Sequence, residues 1–464
     1  MTANAPPTET VGLYGADASA ARQRAAFRAG EVPVAVYGMG KIGLPLSLVY
    51  AEATGAVTGV DIDPGRVAAL NDGANPFDHE PGVSSLLSNA VADGRFVATT
   101  DGEAAASAAR VHVIVVPTVI DGDDDPDLAA LEAAAETVRA GLDPGDAVFV
   151  ESTVPPGTCA DVIGPILTAG DREPGEFGLA HTPERTASGR ALEDIRGSYP
   201  KIVGGVDAES ARVAEFVYDE LTDNEVIRTS DARTAECVKL FEGVYRDVNI
   251  ALANELATLT DEFGVDVVET IEAANTQPFC DILTPGAGVG GHCIPYYPYF
   301  LLDGIDDRAA LIRTARDVNE RMPGFVVETL VDQLEATGSV DGATVALFGV
   351  AYRAGVPETR ASPAIDIAHR LDRLGATVLA VDPILDALPE MPGEHVPLDE
   401  IAARDVDAAV LVTAHNEFDD FDWTAFERTG PDGERTGIPV VDGRQALDLS
   451  ATAHDVYTVG RGWE

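Results

Sequence analysis

The chain has 464 residues, 45% of them hydrophobic, which is enough for about three domains of ~150 residues. It carries 78 acidic against 31 basic residues, a formal net charge of −47. That balance argues against nucleic acid as a partner, because a phosphate backbone binds basic stripes, and no apolar run approaches the ~18 residues that would cross a bilayer.

The acids are spread along the whole chain rather than gathered in a tail, and lysine is confined to Lys41, Lys201 and Lys239. This pattern predicts a cytoplasm at very high salt, as in a halophilic archaeon. There the Debye length falls to ~3 Å, self-repulsion is screened and a carboxylate surface stays hydrated. Residues 1–30 are Ala-rich and polar with no signal-peptide core, and read as a non-catalytic extension of a soluble cytoplasmic protein.

From residue 31 the pattern is βαβ. "VPVAVYG" (32–38) is a short buried strand, "MGKIGLPLSLVYAEA" opens a helix and "AVTGVDID" (56–63) is the next strand. Between them Gly38, Gly40 and Gly43, with Lys41 and Ile42, make G-x-G-x-x-G at a strand-to-helix turn. The glycines permit a tight turn and close approach of a pyrophosphate to a helix N-terminus. Asp61 closes the second strand, placed to take the adenosine ribose hydroxyls and to repel a 2′-phosphate, so the expected cofactor is NAD. Arg66 lies on the adenine side in this reading, or is a surface arginine.

Strands at 109–118, 145–153 and 177–184 follow, each after a helical stretch, which implies a parallel sheet covered on both faces. Apolar spacing of three and four then predicts one long helix over 234–263, stopped by Gly264, with further helix at 308–334. A second set of strands is expected at 343–352, 376–383, 406–415 and 438–444. Its first turn, "GVAYRAG", has wider glycine spacing and suggests a different, nucleotide-like ligand. The fold class is therefore α/β: two Rossmann-like doubly wound domains joined by a helical middle with one long helix. The boundaries are 31–225 for the NAD domain, 226–335 for a central helical dimerisation domain and 336–464 for a C-terminal domain.

The cysteines are Cys159, Cys237, Cys280 and Cys293. With no CxxC pair and no histidines at zinc spacing, no metal is expected. Cys159 and Cys237 read as small buried hydrophobes. Cys293 follows Gly290, Gly291 and His292, and a thiol behind a glycine turn is a candidate nucleophile.

Taken together, "YGMGKIGLPLS", "VDIDPGRV", "ESTVPPGT", "TPER", "YRDVNIALANELA", "PGAGVGGHCIP" and "VVDGR" resemble the nucleotide-sugar 6-dehydrogenases, the UDP-glucose and UDP-N-acetylmannosamine dehydrogenase superfamily. The resemblance covers nearly everything from residue 31, and "RDVNIALANEL" and "GVGGHCIP" are more similar to the branch acting on N-acetyl sugars. It implies a four-electron oxidation of a C6 hydroxyl to a carboxylate with two NAD⁺. Cys293 forms the thiohemiacetal and thioester, Lys239 stabilises the oxyanion, Glu184 assists thioester hydrolysis and Thr153 positions water. Thr118 is placed beside the cofactor. Arg185, Arg246, Asn249, Gly290, Gly291, His292, Arg360 and Arg444 fall on the UDP-sugar side, the arginines and Asn249 having structural hydrogen bonds or salt bridges as the alternative. A homodimer or higher homo-oligomer is implied as well.

Three positions depart from the family pattern. Gly243 stands for an Asn one helical turn after Lys239, Tyr297 for an Asp four residues after Cys293, and Phe279 for an Arg that reaches a neighbouring subunit's substrate. UDP-glucose as substrate and a catalytically weakened nucleotide-sugar-binding paralogue therefore remain open beside the N-acetylhexosamine reading.

Overall fold

The computed structural model describes residues 12–77, 80–122, 124–170, 172–187, 189–305, 308–429 and 434–463. They divide into two compact units. The first runs to Phe241 and includes Tyr299–Asp303, and the second comprises Glu242–Pro298 and the chain from Gly304 onward. Residues 1–11 of the expected N-terminal extension lie outside the described residues. The rest of that extension includes helix α1 (Ala20–Arg28), started by Ser19, whose side chain accepts the Arg22 N–H.

The first unit is built on an eight-stranded sheet. In chain order its strands are β1 (Val34–Tyr37), β2 (Val57–Val60), β3 (Phe96–Thr99), β4 (Val111–Ile114), β5 (Ala147–Val150), β6 (Gly178–His181), β7 (Lys201–Gly205) and β8 (Val226–Arg228). Their order across the sheet is β8-β7-β6-β5-β4-β1-β2-β3. β1 and β4 are adjacent, so the strand order reverses there, the position at which open α/β sheets bind ligands. All pairings are parallel except β6 with β7, which run antiparallel with His181 opposite Gly204. β1, β4 and β5 are buried along their whole length, as a sheet covered on both faces requires. Helix α2 (Gly43–Thr54) packs on one face; its apolar run is almost wholly buried and Gly55 ends it in the left-handed conformation.

The second unit has a seven-stranded sheet. Its strands are β9 (Thr344–Phe348), β10 (Thr377–Val381), β11 (Glu394–His395), β12 (Ala408–Leu411), β13 (Pro439–Asp442), β14 (Asp455–Thr458) and β15 (Gly462–Trp463), in the order β11-β10-β9-β12-β13-β14-β15. The two sheets share a device. Asp61 after β2 accepts the Met39 N–H that follows β1, and Asp382 after β10 accepts the Val350 and Ala351 N–H groups that follow β9.

Between the sheets the chain is helical, with a long helix, α3, at Ala232–Thr258 and another, α5, at Ala310–Thr337. The single helix expected over 234–263 is interrupted at Leu259, and a short helix (Thr260–Phe263) follows before Gly264 closes it at φ 63°. The Thr258 and Thr260 hydroxyls donate to the Glu255 and Ala257 carbonyls around this break, the local competition that unsettles a helix turn. Among the described residues no helix is long and apolar enough to cross a membrane.

His181, the last residue of β6, is fully buried, and among the described residues neither ring nitrogen has a hydrogen-bond partner. Burial, helped by Lys201 and Lys239 nearby, lowers its pKa from 6.5 to about 3. The unfolded chain therefore takes up a proton in this window that the folded chain refuses. Stability from this residue is complete above pH 6.5 and declines towards about 3, at about 1.4 kcal/mol per pH unit. His181→Asn should flatten the plot of melting temperature against pH across that window at fixed salt. A slope identical to that of the unsubstituted protein would show that the imidazole does not titrate in this way.

Candidate active site

At the first turn Gly38 has φ 102°, and a Cβ on it would lie 2.3 Å from the Val115 carbonyl oxygen. A Cβ on Gly43 would lie 1.8 Å from the Gly38 oxygen, so both glycines serve the turn and the close packing of α2 on the sheet. Gly40 differs, because among the described residues nothing lies within 4 Å of where its Cβ would be. That open backbone at a helix start is what a dinucleotide phosphate needs. Asp61 is buried, and its Oδ2 also accepts from Arg66 at 2.9 Å, so it braces the turn while keeping a negative charge at the end of β2. Lys41 is exposed beside Ile42 at the head of α2. These residues fit NAD. Thr118 donates its hydroxyl to the Thr153 carbonyl at 2.7 Å, and both residues are buried. Thr118 thus fixes Thr153 as well as standing at the end of the β4 loop.

At the same edge of the first sheet, Glu184 and Lys239 form an ion pair of 3.0 Å, and the ammonium also donates to the Glu184 carbonyl at 2.5 Å. The other carboxylate oxygen accepts the Thr186 N–H and hydroxyl at 2.9 and 2.8 Å. Burial pushes the Glu184 pKa up, but Lys239 and the Thr186 donors outweigh it and hold it below the ordinary carboxylate range. Glu184 is therefore an anion at neutral pH, able to accept a proton rather than supply one.

A second ion pair, which the sequence reading did not single out, lies beside the first. The Lys201 ammonium is 2.9 Å from both Glu151 oxygens, and the Tyr218 hydroxyl also donates to that carboxylate. Burial raises the Glu151 pKa against the pull of Lys201, and burial lowers that of Lys201 against the pull of Glu151. Arg185, next in chain to Glu184, is turned to the same unit: it donates to the Pro200 carbonyl at 2.9 Å and stacks 5.0 Å over the Tyr199 ring.

In the second unit Cys293 is exposed and opens helix α4 (Cys293–Leu302), and the positive end of a helix dipole stabilises negative charge. A glycine turn alone was expected here; the helix begins at the thiol itself. Gly290 and Gly291 are required by packing, since a Cβ on either would meet Tyr352 at 2.7 or 2.9 Å. The His292 ring lies 5.2 Å from that of Tyr296. Asn249 is occupied structurally, donating to the Asp281 carbonyl at 2.6 Å and accepting the Leu283 N–H at 3.0 Å. Arg246 is exposed on α3.

The Arg360 carbonyl accepts the Gly291 N–H at 2.9 Å, which ties its loop to the glycine turn. Arg444 donates to the Val412 carbonyl at 2.6 Å. Each of these arginines is followed by a non-glycine residue with positive φ, Ala361 at 48° and Gln445 at 53°. Left-handed backbone at such residues costs of order 1–3 kcal/mol and gathers at functional sites.

Among the described residues one group of metal-ligating types converges, Cys159, His181 and Glu236, with ligand atoms within 4.8 Å of one another. The Glu236 carboxylate already accepts the Gly157 and Cys159 N–H groups at 2.5 and 2.8 Å. Two ammonium groups, Lys201 and Lys239, act on His181. The trio thus closes the loop after β5 in surroundings that repel a cation.

Two departures from the family pattern prove to be one feature. A Cβ on Gly243 would lie 2.2 Å from Cδ2 of Tyr297, and the tyrosine is buried. The ring fills the space that a side chain at 243 would need, so tyrosine at 297 demands glycine at 243. Phe279, the third departure, is 92% exposed. Gly243→Asn should lower stability by about 1–3 kcal/mol through overpacking, and the same substitution should cost far less in a Tyr297→Ala background, where the ring is gone. Additive effects in the double-mutant cycle, followed by urea unfolding, would show the residues to be independent.

Comparison with known proteins places these features. The UDP-glucose/GDP-mannose dehydrogenase family is matched by its NAD binding domain over residues 32–222, its central domain over 233–321 and its UDP binding domain over 346–449. The chain is 37% identical over 431 residues to a UDP-N-acetyl-D-mannosamine dehydrogenase of Pyrococcus horikoshii, spanning 92% of this chain and 99% of that one. It is 37% identical over 396 residues to an NDP-N-acetyl-D-galactosaminuronic acid dehydrogenase of Ralstonia nicotianae, spanning 83% and 91%. A solved structure of the UDP-N-acetyl-D-mannosamine dehydrogenase from Pyrococcus horikoshii superposes with a TM-score of 0.84 at 36% identity, covering 93% of this chain and all of that one. The chain therefore belongs to the UDP-glucose/GDP-mannose dehydrogenase family and is an NAD-dependent nucleotide-sugar dehydrogenase.

Proposed function

We propose that the enzyme oxidises the C6 hydroxyl of a UDP-N-acetylhexosamine, UDP-N-acetyl-D-mannosamine in the first place, to the uronate. The observation that carries the four-electron reading is Cys293, an exposed thiol at the first turn of a helix. An alcohol-to-aldehyde oxidation alone has no use for it. The choice of sugar draws on the Pyrococcus and Ralstonia relatives, both of which act on N-acetylated sugars by name.

Gly38–Gly43 and Asp61 would hold NAD⁺, which would supply the hydride acceptor for each of the two oxidations at C6. Lys239 stabilises the negative oxygen that develops at C6. The Cys293 thiolate adds to the aldehyde carbon, and the resulting thiohemiacetal is oxidised to a thioester. Ionised Glu184 takes a proton from the water that attacks this thioester, with Thr153 orienting that water, and Cys293 departs as thiolate. Arg185, Arg246, Arg360 and Arg444 are proposed to serve the UDP-sugar, with Asn249 and Gly290–His292 shaping its surroundings. The proposed parts are an NAD domain at 31–225, a central domain at 226–335 and a UDP-sugar domain at 336–464.

The acidic surface supports a halophilic cytoplasm, and exposed Tyr245, Leu252 and Phe279 support self-association into a homodimer. A uronic-acid nucleotide sugar suits polysaccharide or glycoprotein glycan synthesis. A second reading, a weakened nucleotide-sugar-binding paralogue, rests on Gly243, Tyr297 and Phe279. UDP-glucose is the competing substrate within the first reading.

The deciding experiment follows NADH in multimolar KCl with UDP-N-acetylmannosamine, UDP-N-acetylglucosamine and UDP-glucose side by side. Two NADH per sugar, with the mannosamine derivative preferred, is expected. No NADH from any of them, with NAD and UDP-sugar binding intact, would favour the paralogue. In Cys293→Ser acid formation should stop; continued production of two NADH per sugar by that variant would remove the thioester from the mechanism.

A further inference from the structure

β7 is the one strand of the first sheet that runs against its neighbour β6. Reversal brings the start of β7 to the carboxyl end of β6, the edge at which α/β sheets do their chemistry. His181 pairs with Gly204, and beyond that pair the chain runs on through Thr182 and Pro183 to Glu184, past the Lys201 end of β7. The lysine side chain is only 17% exposed, and its ammonium donates to the Thr182 and Pro183 carbonyls at 2.8 and 3.1 Å as well as to both Glu151 oxygens. The Tyr218 ring lies 4.5 Å from it. One cation thereby joins the segment that leads into Glu184 to the residue two before Thr153.

We infer that Lys201 is a positioning residue for the hydrolytic half of the reaction, holding Glu184 and its Lys239 partner in place from behind through the Thr182 and Pro183 carbonyls and through Glu151. An ammonium suits the task because it is a compact point charge with several donors, and its four acceptors come from three directions. An uncharged side chain at 201 leaves those carbonyls and the buried Glu151 carboxylate without their common donor, so the 182–184 backbone is free to shift. The inference rests on the reading of Glu184 as the base that activates water.

The test compares Lys201→Met and Lys201→Arg with the unsubstituted enzyme in rapid-quench turnover, with mass spectrometry of the Cys293 peptide. In Lys201→Met the first burst of NADH should persist and KM for NAD⁺ should stay within about threefold, while steady-state turnover falls ~10²-fold, the cost of a small misplacement of a reacting group. The covalent adduct on Cys293 should accumulate, and Lys201→Arg should recover part of the rate. Unchanged turnover in Lys201→Met would overturn the inference. So would an equal loss of both phases that arginine does not rescue, which marks a merely structural lysine.

If the unsubstituted enzyme makes no NADH from any sugar, the functional reading fails, and a second measurement judges the placement. The chain has only Lys41, Lys201 and Lys239, so ¹³Cε-lysine labelling gives three assignable resonances. A displaced Lys239 resonance in Lys201→Met supports the positioning; an unmoved one overturns it.

Discussion

Charge withdrawn from water has to be met by charge or by several hydrogen bonds, and this constraint organises the carboxyl edge of the first sheet. Two of the three lysines in the chain are spent there, each against a carboxylate and backbone carbonyls. The result is asymmetric. Glu184, with Lys239 and two Thr186 donors, is held ionised, whereas Glu151, deeper in the unit, is pushed towards protonation despite Lys201. The group beside the expected chemistry keeps its charge and the group behind it supplies rigidity. His181, next to both cations, stays neutral and closes the space against solvent.

Much of the fold could be read from the sequence, because a parallel sheet buried on both faces writes its strands as continuous apolar runs. The runs at 32–38, 109–118, 145–153 and 406–415 each contain an observed strand. The strands of the first sheet that escaped notice, Phe96–Thr99, Lys201–Gly205 and Val226–Arg228, lie at or near its edges, are short, and in the second case end in two glycines. The break at Leu259 was hidden because threonine hydroxyls compete with the helix only locally. The helix start at Cys293 was masked by Pro295 and Pro298, although proline is tolerated in a first turn.

The site divides in the same way. Gly38, Gly43, Asp61, Glu184 and Lys239 belong to compact motifs, and the structure gives each a physical task. Lys201 and Glu151 are fifty residues apart in sequence and meet only because β7 turns back beside β6. No local pattern announces a contact made by strand order. Lysine scarcity was the one available clue, since a chain that otherwise relies on arginine keeps lysine where a point charge is wanted. Gly243 and Tyr297 read separately as two lost polar groups, and in the structure they are a single packing solution.

Ala361 and Gln445 carry a different consequence. Each sits in left-handed backbone immediately after an arginine, where glycine would be more comfortable. Selection for thermal hardiness alone would drift towards glycine at these two places. The molecules it enriched would be tougher but would hold the backbone beside each arginine less firmly, so durability and local stiffness pull in opposite directions at the same codons.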